Sequence, residues 1–218
     1  MCLSENLVLI ITSLFLGATA LLAPWVAELL KRRWYAPRLE IQFSEEAPYC
    51  HLTRRGNGSP VYYFRFRVVN EGGSQARLCE AILEAMATAD ASGRYVPEPN
   101  FSPMPLTWAG IGAGYIAINP KRPYFCDIGH ISEPAFQAAN ERSIYVGITP
   151  DQQSQLKFKF DTPYAFFSQW DSLVPGRHKL TVGIYSENAH HVSRTFNIAW
   201  SGKWQVAERD MYREIVIT

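Results

Sequence analysis

The sequence predicts a mainly β protein in which one N-terminal transmembrane α-helix precedes an antiparallel β-sandwich. The first observation is an apolar run over residues 7–30, in which Glu28 is the only formal charge. A helix needs about 20 apolar residues to cross the hydrocarbon core of a bilayer, and this run is long enough. The second observation is a series of short alternating segments, separated by proline- and glycine-containing turns, in the rest of the chain. We therefore divide the chain into an anchor, residues 1–36, and a sandwich domain, residues 37–218.

The order of charges around the apolar run predicts which side of the membrane the domain occupies. Lys31, Arg32 and Arg33 follow the run directly, whereas the residues before it contain Glu5 and no basic side chain. A cleaved secretory signal has the opposite order, with its positive charges first. Because basic residues near a span stay in the cytoplasm, we expect a single-pass protein of the inner membrane with a cytoplasmic C-terminal domain.

Aromatic and basic residues at the end of the run are typical of a membrane interface. Indole and phenol rings settle at the level of the lipid headgroups, and basic side chains attract anionic lipid. Membrane lipid is therefore a predicted partner, and the predicted interface residues are Trp25, Lys31, Arg32, Arg33, Trp34 and Tyr35.

Small residues within the run indicate a surface for helix packing. Small residues three or four positions apart allow two helices to approach closely. The residues of this kind are Gly17, Ala18, Ala20 and Ala23. They predict contact with an integral membrane protein; the alternatives are a lone anchor and a buried hydrophobic helix of a soluble domain.

Composition limits the function classes. Lys plus Arg number 21 and Asp plus Glu number 20, so the net charge of +1 gives no electrostatic case for nucleic acid as a partner. The cysteines are Cys2, Cys50, Cys79 and Cys126. Three of them lie in the domain, and an odd number of this kind suits free thiols in a reducing cytoplasm better than a disulfide framework.

The three longest strands predicted in the first half of the domain come early in it. Residues 39–43 alternate apolar and polar side chains, and residues 61–70 do so over a longer stretch. In the second segment one face carries Tyr62, Phe64, Phe66 and Val68, and the other, expected to face water, carries Arg65 and Arg67. Residues 76–87 fit helical spacing as well, but their position between two turn signals favours a strand. Residues 44–60 and 90–105 are predicted as connections.

The second half of the domain predicts further short strands and a hairpin. Residues 178–185 and 192–200 both alternate cleanly and are joined by the turn 186–191. The tail, residues 208–218, begins with a helical turn and ends in an extended segment. Shorter strands are predicted at residues 106–108, 124–131, 143–148 and 156–160.

A turn signal, Asn70-Glu71-Gly72-Gly73, separates two of these strands. Residues 68–82 (VVNEGGSQARLCEAI) resemble the strand–Asn-x-Gly–strand hairpin of bacterial immunoglobulin-like and adhesion-type sandwich modules. The layout as a whole resembles uncharacterised bacterial single-pass proteins with one N-terminal anchor and one such domain. The resemblance implies an immunoglobulin-like sandwich and carries over no site residue.

The motifs of the sequence do not point to catalysis, a cofactor or a metal. Cys126 and His130 are four residues apart, and a zinc site would need further ligands from Cys50-His51 or His190-His191. The glycines at 110, 112 and 114 lack the lysine of a phosphate-binding loop. We therefore predict a protein that is not an enzyme, without catalytic, cofactor-binding or metal residues. A hydrolase that uses Cys126 and His130 is kept as a third hypothesis.

Two aromatic clusters are candidates for contact with a protein partner. Phe166, Phe167 and Trp170 lie in a segment without a clear period, and Trp200 and Trp204 flank a Ser-Gly turn. Each cluster fits either core packing or an exposed contact patch.

Together these observations predict a non-enzymatic accessory or scaffold subunit of a membrane protein complex. One helix anchors it, and the cytoplasmic sandwich binds a protein partner. The alternative is a membrane-tethered sensor or effector whose sandwich binds a small ligand, which the glycine loop and the histidine-containing turns favour.

Overall fold

A computed structural model of the chain describes residues 16, 19–28, 35–112, 114–140, 156–163 and 171–218. Over these residues the protein is mainly β and contains two antiparallel sheets. Side chains from both sheets form one buried core. The predicted β-sandwich is therefore confirmed at the level of two antiparallel sheets that pack face to face.

The strands of the described residues are distributed along the whole domain. Two helices, α1 (Pro134–Asn140) and α2 (Glu208–Glu214), accompany them. In chain order the strands are β1 (Leu39–Gln42), β2 (Cys50–Arg54), β3 (Pro60–Asn70), β4 (Ala76–Ala89), β5 (Tyr95–Pro97), β6 (Met104–Pro105), β7 (Thr107–Trp108), β8 (Ile116–Ile118), β9 (Tyr124–Ser132), β10 (Phe158–Phe160), β11 (Ser172–Leu173), β12 (Gly176–Tyr185), β13 (Val192–Trp200) and β14 (Ile215–Ile217).

Each sheet is built around one long central strand pair. The first sheet has the order β1-β3-β9-β10-β11, with β2 beside β3 and β7 beside β9. The second has the order β14-β13-β12-β4-β5, with β6 and β8 beside β4. The predicted hairpin is the β12–β13 pair, in which Gly176 lies opposite Trp200 and Ile184 opposite Val192.

The alternation on β3 places its aromatic residues in the core. Tyr62, Phe64, Phe66 and Val68 are each at most 1% exposed. The Phe66 ring lies 5.9 Å from the ring of Phe196 on β13, so the two sheets contact each other here. Burying one such ring contributes about 1.5–3 kcal/mol. The predicted apolar face of this strand is confirmed.

The opposite face of β3 differs in part from the prediction that it faces water. Arg65 has a side-chain exposure of 22% and forms an ion pair with Asp127 of β9. Arg67 is half-buried, and its Nε donates a hydrogen bond to Gln42 of β1. Polar partners on neighbouring strands therefore take much of the place of water around these two guanidinium groups.

The segment with ambiguous periodicity, residues 76–87, lies within strand β4. Two irregularities explain why it lacks a clean alternation. The pairing with β8 shifts between Ala76 and Cys79, where Leu78 has a φ of +48°. The pairing with β12 shifts again at Glu84, because Val182 lies opposite Leu83 and Thr181 opposite Ala85. Each bulge changes which residues point inward.

Some elements differ from the expectations, and some expectations lie outside the described residues. Strand β2 lies in the segment predicted as a loop, and β5 and β6 lie in the predicted connection 90–105. Helix α1 was not predicted. The predicted strand 143–148 and the aromatic segment 164–170, with Phe166, Phe167 and Trp170, lie outside the described residues.

Only part of the predicted anchor is described. Residues 16, 19–28 and 35 are helical and exposed. In the part of the chain that the structure describes, no helix combines the length and the apolar character needed to span a membrane. Gly17, Ala18, Lys31, Arg32, Arg33 and Trp34 lie outside the described residues, as do the flanking parts of the apolar run.

Candidate functional site at the junction of the N-terminal segment and the sandwich

The chain passes from Tyr35 into the sandwich over only three residues, 36–38. Tyr35 is helical, and Leu39 already begins β1, an edge strand of the first sheet. Leu39 lies opposite Asn70, the last residue of β3. The chain therefore meets the sheet at the end where β3 turns into β4, and we call this region the junction (residues 35–38 with 70–77).

Two glycines of the β3–β4 turn allow the backbones at the junction to approach closely. A Cβ added to Gly72 would meet the carbonyl oxygen of Ala36 and lie 2.6 Å from the amide nitrogen of Arg38. A Cβ added to Gly73 would lie 2.9 Å from the Tyr35 ring. Only glycine leaves space for these contacts, so this turn is shaped to hold the segment that precedes β1.

The buried amide of Asn70 fastens the junction by four hydrogen bonds. Its Oδ1 accepts from the backbone N–H of Arg38 and of Gly72, each at 3.0 Å. Its Nδ2 donates to the carbonyl oxygens of Ser74 at 2.7 Å and of Ile118 at 3.1 Å. The side chain is 0% exposed, and each of its polar atoms has partners. One residue thus joins the entering chain, the turn and β8.

The loop between β12 and β13 holds Arg77 in place at the same end of the sandwich. The Arg77 N–H donates to Asn188 Oδ1 at 2.8 Å, and its carbonyl oxygen accepts from the Ser186 hydroxyl at 2.8 Å and from the Glu187 N–H at 3.1 Å. Asn188 Nδ2 also donates to the Gln75 carbonyl at 3.0 Å. The backbone of Arg77 is therefore fixed while its side chain projects outward.

A cavity lies between the helical N-terminal segment and this end of the sandwich. Its volume is about 580 Å³, within the range of small-molecule sites. The lining residues that the structure describes contribute a guanidinium, a carboxylate, a phenol ring and two small polar side chains. They are Glu28, Tyr35, Ala36, Pro37, Ser74, Arg77 and Asn188.

Two ion pairs lie at this end of the sandwich. Arg77 Nε lies 3.2 Å from Glu187 Oε2, with both side chains more than half exposed. Lys121 binds the carboxylate of Glu71 in the β3–β4 turn and holds the pKa of Glu71 below its ordinary value. Exposed pairs of this kind contribute little to stability, so their cations remain accessible to a competing anion.

A second polar cluster lies on the outer face of the first sheet. His130 Nδ1 lies 2.8 Å from Asp161 Oδ1, and Arg65 Nε lies 3.0 Å from Asp127 Oδ1. The rings of Tyr63 and His130 are 5.6 Å apart. Burial raises the pKa of Asp127 to about 6, although the Arg65 charge acts in the opposite direction.

The structure does not bring Cys126 and His130 together. Cys126 lies opposite Phe66 on β3, is 0% exposed and belongs to the core. His130 lies opposite Tyr63, and its pairing with β3 is separated from that of Cys126 by a bulge. The thiol and the imidazole therefore face opposite sides of the sheet. Burial also raises the pKa of the Cys126 thiol well above its ordinary value.

The other residues that a zinc site would need are also separated from one another. His51 pairs with Glu208 at 3.2 Å, and His191 Nε2 lies 2.8 Å from Glu84 Oε1. Cys50 is buried, and burial raises its pKa to about 12. Among the described residues, no group of three or more His, Cys, Asp or Glu side chains is placed to hold a metal ion.

The residues predicted for the membrane interface, for partner contact and for helix packing differ in their exposure where the structure describes them. Trp25 is 74% and Tyr35 57% exposed. Trp200 is 3% exposed and packs in the core, so its ring is not an exposed contact in this structure. Trp204 is half-buried, with its ring 5.1 Å from that of Tyr62. Ala20 and Ala23 are exposed in the helical segment.

Sequence reasoning marked the Asn70 turn but missed its role and that of Arg77. The available signal was the Asn-x-Gly-Gly pattern, which predicts a turn. The residue that holds the backbone of Arg77 lies far away along the chain, because Asn188 is 111 residues from Arg77. A short sequence motif does not reveal contacts between residues that are so far apart in the sequence.

Comparisons with known proteins add little to this picture. No protein-family model and no curated protein matches the chain. Among solved structures, the chain is similar to the X-ray structure of Northeast Structural Genomics Consortium target SoR45. The two chains share 15% identity over 79% of this chain and 92% of that chain, with a TM-score of 0.28. A similarity at this level does not indicate the function of this chain.

Proposed function

We propose that this protein is a non-enzymatic accessory or scaffold subunit of a membrane protein complex. A single helix over residues 7–30 anchors it in the inner membrane, and its immunoglobulin-like sandwich lies in the cytoplasm. The anchor contacts an integral membrane protein, and the sandwich binds a protein partner beside it.

The observation that carries this proposal is the junction, where residues 36–38 are held against the β3–β4 turn. Asn70 fixes the backbone of Arg38, and Gly72 receives the backbone of Ala36, so the chain is fixed on the sandwich from residue 36 onward. A domain that only needed to be kept near a membrane would be served by a flexible linker. A fixed junction sets the orientation of the sandwich, which is what a scaffold requires.

The exposed side chains of the helical segment support the same proposal. Leu21 is 75%, Leu22 59%, Trp25 74% and Val26 50% exposed. Large apolar side chains grouped on one element indicate a surface that lipid or another protein covers. The small residues among them, Ala20 and Ala23, suit close approach of a second helix.

Site-specific photo-crosslinking in the full-length chain tests the proposal. A photo-reactive amino acid replaces Leu22 in one variant and Ala91, at the exposed tip between β4 and β5, in the other. We expect an adduct between position 22 and an integral membrane protein, identified by mass spectrometry, and no such adduct from position 91. Residue 91 is the matched control because it lies at the end of the sandwich opposite the junction.

Three results would overturn the proposal. One is release of the full-length chain from membranes by alkaline carbonate. Another is a lone monomer in mild detergent. The third is a position 22 that crosslinks only to lipid.

A further inference from the structure

We propose that the end of the sandwich that carries the junction lies on the surface of an anionic bilayer, with the loop between β7 and β8 among the lipid headgroups. We call residues 109–115 the glycine loop, of which the structure describes all but residue 113. Ile111 and Tyr115 are the side chains that enter the headgroup layer. This inference rests on the proposed membrane anchoring and adds a second contact with lipid to it.

Exposed large apolar and aromatic side chains are concentrated toward the junction end. Seven such residues are exposed on the described part of the sandwich, and Leu78, Ile111, Tyr115 and Tyr185 lie toward this end. Leu78 directly follows the junction on β4, and Tyr115 directly precedes β8, which pairs with the same part of β4. Tyr185 ends β12 at the loop that holds Arg77. Such a grouping indicates a surface that lipid or protein covers. The other three residues are Val96, Val206 and Val216.

The direction of β7 brings the glycine loop toward the same end. Trp108 of β7 lies opposite Cys126 of β9, and the N–H of Ala109 donates to the carbonyl oxygen of Phe125 at 2.9 Å. The chain after β7 therefore continues toward the beginning of β9. This part of β9 pairs with the last residues of β3, beside the junction.

The tip of the glycine loop is exposed, but its backbone amides are paired. Ile111 is 56% exposed, and a Cβ added to Gly110 or Gly112 on either side would have nothing within 4 Å. The N–H groups of Ile111 and Gly112 both donate to the carbonyl oxygen of Trp108, at 3.0 and 2.9 Å. Because an unpaired amide is costly away from water, this pairing lowers the cost of moving the tip into the headgroup layer.

The charges at this end favour an anionic lipid surface over a neutral one. Its described connections together with Arg77 carry four basic and two acidic side chains. Two of the basic groups form the ion pairs described above. The other two, Arg38 and Arg122, are exposed and have no carboxylate partner among the described residues. Basic side chains attract anionic lipid, and phenol rings settle at headgroup level. These connections are residues 35–38, 71–75, 119–123 and 186–191.

Fluorescence of the full-length chain reconstituted in vesicles tests this contact. A nitrobenzoxadiazole label is attached at Ile111→Cys in a Cys2→Ser background, since the cysteines of the sandwich are buried. In vesicles of equal parts phosphatidylglycerol and phosphatidylcholine, we expect blue-shifted emission that nitroxide-labelled lipid quenches and aqueous iodide does not. The same label at Ala91→Cys, at the opposite end of the sandwich, is the matched control. It should be quenched by iodide, and it corrects for chains whose sandwich lies inside the vesicle.

Charge variants of the labelled chain test the choice of lipid. Arg122→Glu should lower the ratio of protected to exposed label roughly tenfold, because it replaces an attraction to the anionic surface by a repulsion. Arg54→Glu is the matched control and should leave this ratio unchanged. Arg54 is an exposed arginine at the opposite end, where its Nη1 donates to the carbonyl oxygen of Gly58. Vesicles of phosphatidylcholine alone should lower the ratio for the wild-type charges, and a label at Tyr115→Cys should repeat the result.

Equal quenching by iodide at positions 111 and 91, or equal protection in neutral and anionic vesicles, would overturn the inference. So would protection that arises only in native membranes, because a protein would then cover the loop. Carbonate extraction of the same preparations separates the two proposals. A chain that resists extraction but leaves position 111 open to iodide refutes the lipid contact alone, whereas a chain that is extracted refutes the anchoring.

Discussion

Asp127 shows how one side chain on the outer face of a sheet acquires an unusual acidity. It is 7% exposed and pairs with Arg65 across the β3–β9 ladder. The loss of hydration raises its pKa from 3.8 to about 6, against the effect of the Arg65 charge. The folded protein therefore binds a proton at Asp127 more readily than the unfolded chain does.

This shift predicts a definite pH dependence of stability. The stabilisation from the protonated Asp127 is fully present below pH 3.8 and is lost as the pH rises through about 6. Asp127→Asn removes this pH dependence. The difference in the free energy of unfolding, variant minus wild type, should therefore rise by about 2–3 kcal/mol as the pH is raised from 4 to 7. Urea titrations at several pH values measure this difference.

Asp90 provides a control of opposite sign. Its exposed carboxylate accepts hydrogen bonds from Ser92 and Arg94, which lower its pKa. Its stabilisation is therefore present at neutral pH and lost on acidification. Asp90→Asn should thus lower stability more at pH 7 than at pH 3. A pH-independent difference for Asp127→Asn would show that its carboxyl is solvated in the folded state.

The cysteines of the sandwich should be unreactive in the folded protein. Cys50, Cys79 and Cys126 are buried free thiols, and burial raises the pKa of each. Since only the thiolate is nucleophilic, we expect alkylation by iodoacetamide at pH 8 to be far slower than in urea. Mass mapping in a Cys2→Ser background measures each site. Rapid alkylation of Cys126 would contradict this and revive the hydrolase hypothesis.

At the scale of one element, the β3–β4 turn depends on the absence of a side chain at residue 72. Gly72→Ala places a Cβ against Ala36 and Arg38 backbone atoms, which cannot withdraw as a flexible side chain would. We expect a loss of about 1–3 kcal/mol in the free energy of unfolding. Chemical denaturation measures it.

Gly56→Ala is the matched control for this prediction. Gly56 lies in the β2–β3 turn, and a Cβ there would have nothing within 4 Å. We expect a change within about 0.5 kcal/mol. If the two variants had equal stability, the close approach of the turn to residues 36–38 would be refuted.

The strands with regular alternation could be predicted from the sequence. On β3 and β12 the inward residues recur at every second position, because each strand has one face on the core. Strand β4 was assigned only from the turns around it, since its bulges break the alternation. Strand β2 was missed because its inward face shows only one fully buried residue, Cys50, among polar neighbours.

The candidate site could be predicted only in part. The sequence contains the Asn70-Glu71-Gly72-Gly73 turn and the apolar run with its basic end. It does not show that Gly72 receives the backbone of Ala36, or that Asn188 fixes Arg77. These contacts join segments that are distant along the chain, and they exist only once both sheets have formed.

At the scale of the whole molecule, the two sheets should unfold together. Phe196 of β13 lies in the shared core, 5.5 Å from the Phe43 ring and 5.9 Å from the Phe66 ring of the first sheet. Phe196→Ala leaves a cavity between the sheets and should cost about 3–5 kcal/mol. Circular dichroism and tryptophan fluorescence should report one coincident transition, shifted equally.

The neighbouring Asn197 is the control for this prediction. Its side chain is exposed on β13, so Asn197→Ala should change stability by no more than about 0.5 kcal/mol. Two separate transitions in the Phe196→Ala variant would show that the sheets are independent folding units.

The short connection from Tyr35 to β1 also affects how this protein meets other molecules. The four Cα–Cα steps from Tyr35 to Leu39 span at most roughly 14 Å. With the preceding segment in a bilayer, as proposed, this short path keeps the sandwich close to the membrane surface. Its search for a partner is then two-dimensional, by lateral diffusion along the membrane. Binding selects partners by the height of their contact surface above the lipid as well as by chemistry.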